Sequence, residues 1–225
     1  MQEGATLKVC TDSCLFGAWV ASRLPQVSSI LDIGTGTGLL ALMLAQKQAS
    51  AQLTALEIDA QSALLAQQNM ANSRWSDRIK IENVSLQEFK STHSFGLIIS
   101  NPPFFEKQLR SDTKQHNLAK HQDGLTKEEL LRHSLGLLSR QGHFYVLFPD
   151  VEGKTFQELA KGEGLFLQQE VIVRNKKEGP VFRRMQSYSF ERTVESLQTE
   201  LVIYKAPKIY TEGFITLLKD YYLYL

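Results

Sequence analysis

From about residue 29 onward, short β-branched apolar runs alternate with longer segments whose apolar residues recur at helical spacing. This alternation is typical of a parallel sheet covered by helices, because each parallel pair of strands needs a long crossover between them. The predicted strands cover residues 29–34, 51–59, 78–84, 95–101 and 142–149. The predicted helices cover residues 39–48, 60–73 and about 126–139, the last closed by Gly142.

The order of elements changes after the fifth strand. A helix at about 153–162 is followed by three strands with only short loops between them, at residues 165–175, 185–193 and 199–205, and by a final helix from about residue 211. Consecutive strands without intervening helices indicate an antiparallel edge on an otherwise parallel sheet. Because the sequence shows no internal repeat or linker, one domain over residues 1–225 is predicted.

Composition excludes several classes of protein. The chain has 225 residues, 43% of them apolar, and a net charge of +1, so it can bury a core and lacks the global positive field of a purely electrostatic polyanion binder. No apolar run is long enough to span a bilayer, and the N-terminus lacks the order of a signal peptide, so a cytoplasmic location is expected. Cys10 and Cys14 are expected to be reduced, and no metal site is predicted.

A glycine-rich loop follows the first strand in "LDIGTGTGLLAL", residues 31–42. Glycine permits a tight turn and lets a ligand approach the backbone. The dinucleotide fingerprint G-x-G-x-x-G requires a glycine where Leu39 stands. The loop, with Asp32 before it and glycine at every second position, instead resembles motif I of class I S-adenosylmethionine-dependent methyltransferases. That resemblance implies S-adenosylmethionine as cofactor, held by Gly34, Gly36 and Gly38, with Asp32 near its methionine end.

The second strand ends in "ALEID", residues 55–59, which brings Glu57 to the same sheet edge as Asp32. The resemblance implies that Glu57 accepts hydrogen bonds from the cofactor ribose, with Ile58 beside it. The alternative is that Glu57 and Asp59 only cap the next helix, which is the interpretation we favour for Asp59. Where the class usually has an acid that holds adenine, this chain has Ser85, so adenine recognition is assigned to Asn83, Ser85 or the backbone near Leu86.

The fourth strand ends in "ISNPPFFE", residues 99–106. This stretch resembles motif IV of amino-group methyltransferases, [DNS]-P-P-[YFW]. The resemblance implies that the Asn101 side-chain oxygen and the Pro102 carbonyl accept hydrogen bonds from the target amine, that Pro103 keeps these acceptors aimed, and that Phe104 stacks on the target base. The alternative is a proline-ended loop with two phenylalanines in the core.

The flanks narrow the family. "LKVCTDSCLFGAW" (7–19), "NLAKHQDGLTKEELL" (117–131) and "YTEGFITLLKDYYLYL" (210–225) resemble segments of the bacterial valine-tRNA (adenine-N6)-methyltransferase family. Membership implies methylation of the exocyclic N6 of the adenosine immediately 3′ of a tRNA anticodon. It also implies a Rossmann-like fold with a mostly parallel seven-stranded sheet, an antiparallel C-terminal edge (165–225), helices on both faces, and an N-terminal helical segment (1–28) that closes over the cofactor.

Within that N-terminal segment, the resemblance places Thr11 and Asp12 over the cofactor. An N-cap role for the helix that follows is compatible with this placement. The chain departs from the family at Ser13, where the family has glycine. A monomer without an obligate protein partner is expected.

A tRNA substrate should leave a basic footprint. The segment 174–184 supplies Arg174, Lys176, Lys177, Arg183 and Arg184. The polar segment 106–121 adds substrate-binding candidates that follow Phe104 and Phe105, namely Lys107, Arg110, Lys120 and His121. A solvated charged loop is the plain alternative for both segments.

Four other functions remain open from the sequence. An amino methyltransferase that acts on another nucleic-acid base, in rRNA or DNA, shares the same motifs. A protein glutamine methyltransferase shares the Asn-Pro-Pro core, but it usually has tyrosine in place of Phe104 and a separate N-terminal domain. A nucleic-acid-binding module that has lost catalysis is disfavoured by the presence of Asn101, Pro102 and Glu57. A nicotinamide oxidoreductase is the weakest alternative, because Leu39 replaces the third glycine.

Overall fold

The computed structural model describes residues 10–24, 26–102 and 125–224. Its main element is an eight-stranded sheet in the order β3-β2-β1-β4-β5-β7-β6-β8. The strands are β1 (Ser29–Ile33), β2 (Gln52–Leu56), β3 (Ile79–Glu82), β4 (Phe95–Ser100), β5 (Leu138–Phe148), β6 (Phe166–Arg174), β7 (Val181–Ser189) and β8 (Leu197–Val202). A separate two-stranded hairpin pairs β9 (Tyr204–Ala206) with β10 (Ile209–Tyr210).

Helices cover both faces of the sheet. Those within the described residues are α1 (Thr11–Arg23), α2 (Leu39–Lys47), α3 (Ala60–Ala71), α4 (Lys127–Leu137), α5 (Asp150–Gly162) and α6 (Glu212–Leu218). One apolar cluster packs α1, α2, α6 and the end of α3 against one face, and a second packs α4 and α5 against the other. Successive residues of one strand alternate between the two clusters, as Ile30 and Leu31 of β1 do, because side chains in a strand alternate faces.

The sheet confirms the predicted α/β class. Strands β1 to β5 are parallel wherever they pair, and β7 is antiparallel to both of its neighbours, β5 and β6. The sheet has eight strands where seven were expected. The residue pattern itself predicts all eight, and seven is the number that the family resemblance implied. The last strand, β8, pairs in parallel with β6, so the C-terminal edge is antiparallel only around β7.

The boundary between α4 and β5 differs from the prediction. The helix ends at Leu137, and the strand begins at Leu138, so Gly142 lies inside β5 and does not close the helix. A side chain at Gly142 would meet the Phe95 carbonyl oxygen at 2.9 Å and the Leu138 side chain at 2.8 Å. The glycine therefore permits a close approach between β5 and β4, next to an irregularity in their pairing.

Two C-terminal predictions also need correction. Strand β7 begins at Val181 and ends at Ser189, whereas 185–193 was predicted, because its register is set by pairing with β5 and β6 and not by its own apolar pattern. The final helix was predicted to carry Tyr221, Tyr222 and Tyr224 near its end, but α6 ends at Leu218 and these residues follow it. Within the described residues, no helix is both long and apolar enough to cross a membrane.

Candidate active site

Three predicted site groups meet at the carboxyl edge of the sheet. Ile33, at the end of β1, is paired with Leu56 of β2 on one side and with Ser100 of β4 on the other. The residues that follow these strand ends are Gly34, Glu57 and Asn101. Ligands of open α/β sheets bind in the crevice outside this edge. The adjacency of β1, β2 and β4 therefore brings together motifs that are far apart in the chain.

The glycine loop turns away from β1 immediately. Gly34, Gly36 and Gly38 all have positive φ, at 71°, 59° and 88°. The amides of Gly34 and Thr35 both donate to the Leu56 carbonyl at 2.9 Å, which holds the loop to the end of β2. A Cβ on Gly38 would lie 2.1 Å from the Met70 side chain, whereas nothing described lies within 4 Å of that position at Gly34 or Gly36. Two of the glycines thus border open space, which a ligand could enter.

Asp32 lies beneath this loop and is 0% exposed. Its Oδ2 accepts a hydrogen bond from the Thr35 hydroxyl at 2.6 Å, while Oδ1 has no hydrogen-bond partner within the part of the chain described. Burial raises the pKa of Asp32 to about 7, against the opposing effects of the Thr35 hydroxyl and the Ala41 backbone amide, because a charged carboxylate is poorly stabilised away from water. An orphaned buried oxygen at a ligand-binding edge is a position where a cationic or hydrogen-bond-donating ligand group fits.

The Glu57 carboxylate reaches back over the glycine loop. Its Oε2 accepts from the Gly36 amide at 2.8 Å and its Oε1 from the Asp59 amide at 2.9 Å. The side chain is half-buried, so it still faces the crevice. Asp59 caps α3 by accepting from the Ser62 amide at 2.8 Å, as the sequence indicated.

The far wall of the crevice is formed beyond β2 and β3. Ile58 is 60% exposed, which is unusual for isoleucine and leaves a flat apolar surface free. The Asn83 side chain donates to the Glu57 and Ile58 carbonyls at 2.8 and 3.0 Å, so it supports the end of β2. Ser85 exchanges hydrogen bonds with Glu88, and the Leu86 side chain is buried, which leaves its backbone as the group able to meet a ligand.

Asn101 directly follows β4. Its side-chain amide nitrogen donates to the Ser13 hydroxyl at 2.8 Å, and its amide oxygen has no partner among the described residues. The preceding Ser100 hydroxyl donates to the Ile33 carbonyl at 2.9 Å and ties β4 to β1, while Pro102 is buried. The amide oxygen of Asn101 is thus available as an acceptor.

The Asn101 contact identifies a residue that sequence reasoning missed. Ser13 was noted only as a departure from the family glycine, and in the structure its hydroxyl contacts both Asn101 and the Cys10 sulfur, at 2.8 and 3.2 Å. The departure itself was the available signal. Cys10 and Cys14 are not joined to each other by a disulfide.

Thr11 and Asp12 lie in the first turn of α1, so the N-cap prediction was wrong for them. Cys10 occupies the N-cap position, with no side-chain capping hydrogen bond. The buried Asp12 carboxylate accepts from the Ser13 amide at 2.9 Å and from the Arg183 guanidinium at 2.8 Å. These contacts fix the start of α1 beside β7, at the sheet edge where Asn101 lies.

The basic residues of 174–184 separate into two groups. Arg174 pairs with Glu200 and donates to the Gly179 carbonyl, while Arg183 pairs with Asp12. Arg184 is buried and pairs with Asp150 at 2.7 Å and Glu170 at 2.8 Å, so the prediction that it contacts substrate needs correction.

The second group, Lys176 and Lys177, is exposed. Six predicted residues lie outside the described part of the chain, as does Pro103, and these are Phe104, Phe105, Lys107, Arg110, Lys120 and His121. Within residues 10–24, 26–102 and 125–224, no group of three or more His, Cys, Asp or Glu could hold a metal ion.

Structures of known proteins share this fold. A predicted O-methyltransferase from Agrobacterium tumefaciens matches with a TM-score of 0.69, at 14% identity, over 94% of this chain and 97% of that chain. A methyltransferase from Pyrococcus furiosus matches with a TM-score of 0.58, at 16% identity, over 84% of this chain and 90% of that chain. At these identities the likeness concerns the fold alone.

Sequence comparison identifies the family. The model of the methyltransferase small domain matches residues 18–150. A tRNA1(Val) (adenine(37)-N6)-methyltransferase from Trichodesmium erythraeum is 40% identical over 99% of this chain and 93% of the relative, and one from Dyadobacter fermentans is 37% identical over the same shares. The chain therefore belongs to the family of tRNA1(Val) (adenine(37)-N6)-methyltransferases, within the methyltransferase small-domain family.

Proposed function

We propose that this protein transfers a methyl group from S-adenosylmethionine to the exocyclic N6 amine of adenosine 37 in tRNA1(Val). The observation that carries the proposal is the Asn101 amide, whose nitrogen is committed to Ser13 and whose oxygen is left as a free acceptor among the described residues. The substrate and the position of the methylated base come from the family to which the chain belongs.

The residues of the crevice fit the cofactor. In the part of the chain that the structure describes, nothing occupies the space where a side chain would stand at Gly34 and Gly36, and one buried oxygen of Asp32 has no hydrogen-bond partner. In the proposal, the glycine loop and Asp32 face the methionine end, Glu57 accepts from the ribose hydroxyls, and Ile58 packs against the adenine. Asn83, Ser85 and the Leu86 backbone lie where the adenine edge would be read, and Thr11 and Asp12 close the site from α1.

S-adenosylmethionine supplies an electrophilic methyl group on a positively charged sulfur. An exocyclic amine on adenine attacks such a group poorly, because its lone pair is delocalised into the ring. Hydrogen bonds from the two amine protons to the Asn101 oxygen and the Pro102 carbonyl would favour a tetrahedral nitrogen and orient the lone pair. The acceptors are fixed before the reaction, so rate enhancement comes from positioning and preorganised dipoles.

Methyl transfer would break the bond from sulfur to the methyl carbon, with S-adenosylhomocysteine as the leaving group. The amine nitrogen would then be positively charged and still hold both of its protons, one of which water can remove. No general base is needed, because the methylated amine becomes strongly acidic only after attack. Pro103 and Phe104 complete the proposed motif as a rigid support and a stacking surface. Among the basic candidates, Lys176 and Lys177 remain in the proposed tRNA contact, together with Phe105, Lys107, Arg110, Lys120 and His121.

The test is an assay with methyl-labelled S-adenosylmethionine and unmodified bulk tRNA, followed by digestion to nucleosides. Wild type is expected to place label in N6-methyladenosine, and Asn101→Ala to lose at least about 100-fold in rate, the usual cost of removing one preorganised group that acts on the reacting centre. Asn72→Ala is the matched control, since Asn72 lies at the C-terminal end of α3, the end away from Glu57 and the crevice.

Calorimetry separates the possible failures. Asn101→Ala should still bind S-adenosylmethionine, because its cofactor contacts are a minor part of the crevice. Label in another nucleoside would overturn the proposed base, and equal rates for Asn101→Ala and wild type would overturn the proposed role of Asn101.

A further inference from the structure

A basic cleft lies beside the C-terminal hairpin, away from the glycine loop. It has a volume of about 820 Å³ and runs between the loop after β6, the end of β8 and the β9–β10 hairpin. We call it the basic cleft and define it by four lysines and two tyrosines that line it, Lys176, Lys177, Lys205, Lys208, Tyr204 and Tyr210. Neither the hairpin lysines nor the tyrosines were predicted as site residues.

The charge of the basic cleft is poorly compensated. All four lysines are exposed, and none has a carboxylate within ion-pair distance among the described residues. Glu200 lines the same cleft but is already paired with Arg174, and Glu178 in the loop after β6 offsets one positive charge. On a chain with a net charge of only +1, this is a local concentration of positive charge of the kind that polyanions recognise.

One wall of the basic cleft is aromatic and rigid. Tyr204 and Tyr210 are stacked with their ring centroids 5.1 Å apart, and Tyr210 stacks in turn on Phe214 at 4.2 Å. Phe214 is fully buried, so the stack is anchored in the core. The Tyr204 amide donates to the Asn175 carbonyl at 3.0 Å, which joins this wall to the lysine-bearing loop. Flat aromatic surfaces beside cations are the usual platform for unpaired bases.

The hairpin turn carries a further indication. Lys208 has φ of 62°, and it is the one residue other than glycine with positive φ in the described part of the chain. A lysine in the left-handed region is unfavourable relative to glycine or asparagine, and such positions concentrate at functional sites. The turn therefore presents a cation at its tip where a smaller residue would be more stable.

The basic cleft opens on the same sheet edge as Asn101. Strands β6 and β8 are parallel to each other, and β6 runs in the same direction as β5, since both are antiparallel to β7. Their carboxyl ends, Arg174 and Val202, therefore lie at the edge where β4 ends. In the strand order, β6 and β8 are three and four positions from β4. At roughly 4.8 Å per strand, the basic cleft lies about 14–19 Å from Asn101 along that edge.

We infer that the basic cleft binds the sugar–phosphate backbone of the tRNA anticodon arm, a few nucleotides from the base that is methylated. The lysines neutralise phosphates, and the Tyr204–Tyr210 stack gives a flat surface for a sugar or an unpaired base. This inference rests on the proposed function for the identity of the RNA. It assigns the cleft an affinity role and no part in the chemical step, since its groups are too far from Asn101 to touch the amine.

The test compares wild type with Lys205→Gln/Lys208→Gln and with the control pair Lys90→Gln/Lys161→Gln, exposed lysines at the opposite edge. The dissociation constant of unmodified tRNA is measured by filter binding at several salt concentrations. The cleft pair is expected to bind about tenfold more weakly and to lower the slope of log K against log salt by roughly 2, the value for two lost phosphate contacts. The control pair should match wild type.

Two further measurements keep the outcomes distinct. Lys205→Arg/Lys208→Arg should restore the affinity and the salt slope, and kcat at saturating tRNA should not change in the cleft pair. If the cleft pair binds tRNA as the control pair does, the inference is wrong. If wild type methylates no tRNA but still binds it through the cleft, the proposed function fails while the inference stands. Binding to anionic lipid vesicles in place of tRNA would overturn the inference.

Discussion

Two buried carboxylates in the same sheet differ in how fully their oxygens are hydrogen-bonded. Glu170, on β6, is 2% exposed, and both of its oxygens are paired, with Arg184 and Gln186 on Oε1 at 2.8 Å and Gln198 on Oε2 at 2.6 Å. Asp32, on β1, is more deeply buried, yet among the described residues it has a single side-chain partner and one oxygen without a hydrogen bond. The difference separates a carboxylate that stabilises the scaffold from one that we propose contacts the cofactor.

The pairing of Glu170 follows from sheet register. Gln186 on β7 and Gln198 on β8 are the residues directly opposite Glu170 in its two neighbouring strands. Three polar side chains thus form a ladder across the C-terminal strands, and Arg184 joins it from two residues along β7. A buried charge is tolerable when it is paired and hydrogen-bonded in this way. The residues directly opposite Asp32 in its two neighbouring strands are Ala55 and Ile99, whose side chains cannot hydrogen-bond to it.

The largest expected effect comes from removing Glu170, the carboxylate whose two oxygens are both paired. Glu170→Ala leaves the buried Arg184 without its buried partner, which should lower the free energy of unfolding by about 3–5 kcal/mol. Urea denaturation measures this loss directly. Glu158→Ala, an exposed carboxylate on α5, is the control and should change stability by less than about 0.5 kcal/mol.

A double variant tests the reason for that loss. In Glu170→Met/Arg184→Met both buried charges are gone, so much of the stability should return. If Glu170→Ala costs no more than the Glu158→Ala control, the polar ladder does not stabilise the fold.

The next prediction concerns Asp32 and the dependence of stability on pH. The pKa of Asp32 is raised by burial from 3.8 to about 7, so the folded state holds the proton more tightly than the unfolded chain. Stability is therefore greatest below about pH 4 with respect to this group, and it falls as the pH rises from 4 to 7. The slope is at most about 1.4 kcal/mol per pH unit.

Replacing the carboxylate should remove that slope. Between pH 5 and pH 7.5, the free energy of unfolding of Asp32→Asn is expected to fall by roughly 1–3 kcal/mol less than that of wild type, as measured by urea denaturation. Asp77→Asn, an exposed acid, should keep the wild-type profile. If the free energy of unfolding depends on pH in the same way in wild type and Asp32→Asn, the charged form of Asp32 does not destabilise the folded protein.

The smallest expected effect comes from removing Ser13, the hydrogen-bond partner of Asn101. Among the described residues, the Asn101 amide has a partner for its nitrogen, Ser13, and none for its oxygen. Ser13→Ala removes that partner and lets the amide rotate, so kcat for methyl transfer should fall about threefold to tenfold, the value of one hydrogen bond. A modest effect is expected, because the family pattern has glycine at this position.

A positioning role for Ser13 has a specific signature. The melting temperature and the KM for tRNA should not change in Ser13→Ala, and Ser13→Thr, which keeps the hydroxyl, should restore kcat. A fall in melting temperature with unchanged kcat would instead assign Ser13 a structural role.

The sequence was most informative where function depends on residues at strand ends. The glycine loop, Glu57 and Asn101 each follow an apolar run directly, so their place at the carboxyl edge could be predicted from local pattern, and the structure brings them to adjacent strands. Gly142 was misassigned because a glycine after a helix and a glycine inside a closely packed strand look the same in sequence.

The basic residues show where local pattern is insufficient. Arg183 and Arg184 are neighbours in the chain, yet one pairs with Asp12 of α1 and the other is buried against Glu170 and Asp150. Alternation of side chains along a strand sends them to opposite faces, and only the packing of each face decides their partners. Lys205 and Lys208 were overlooked because isolated lysines in a short hairpin carry no charge pattern.

By itself, then, the sequence determined the α/β architecture, the family, the glycine loop and the Asn-Pro-Pro motif, since these depend on short-range periodicity and on residues that are contiguous in the chain. Tertiary structure alone decided that Ser13 contacts Asn101, that Arg184 belongs to the scaffold, and that distant lysines share one cleft with two tyrosines. Those relations depend on strand order and register, which arise from long-range pairing that local sequence does not encode.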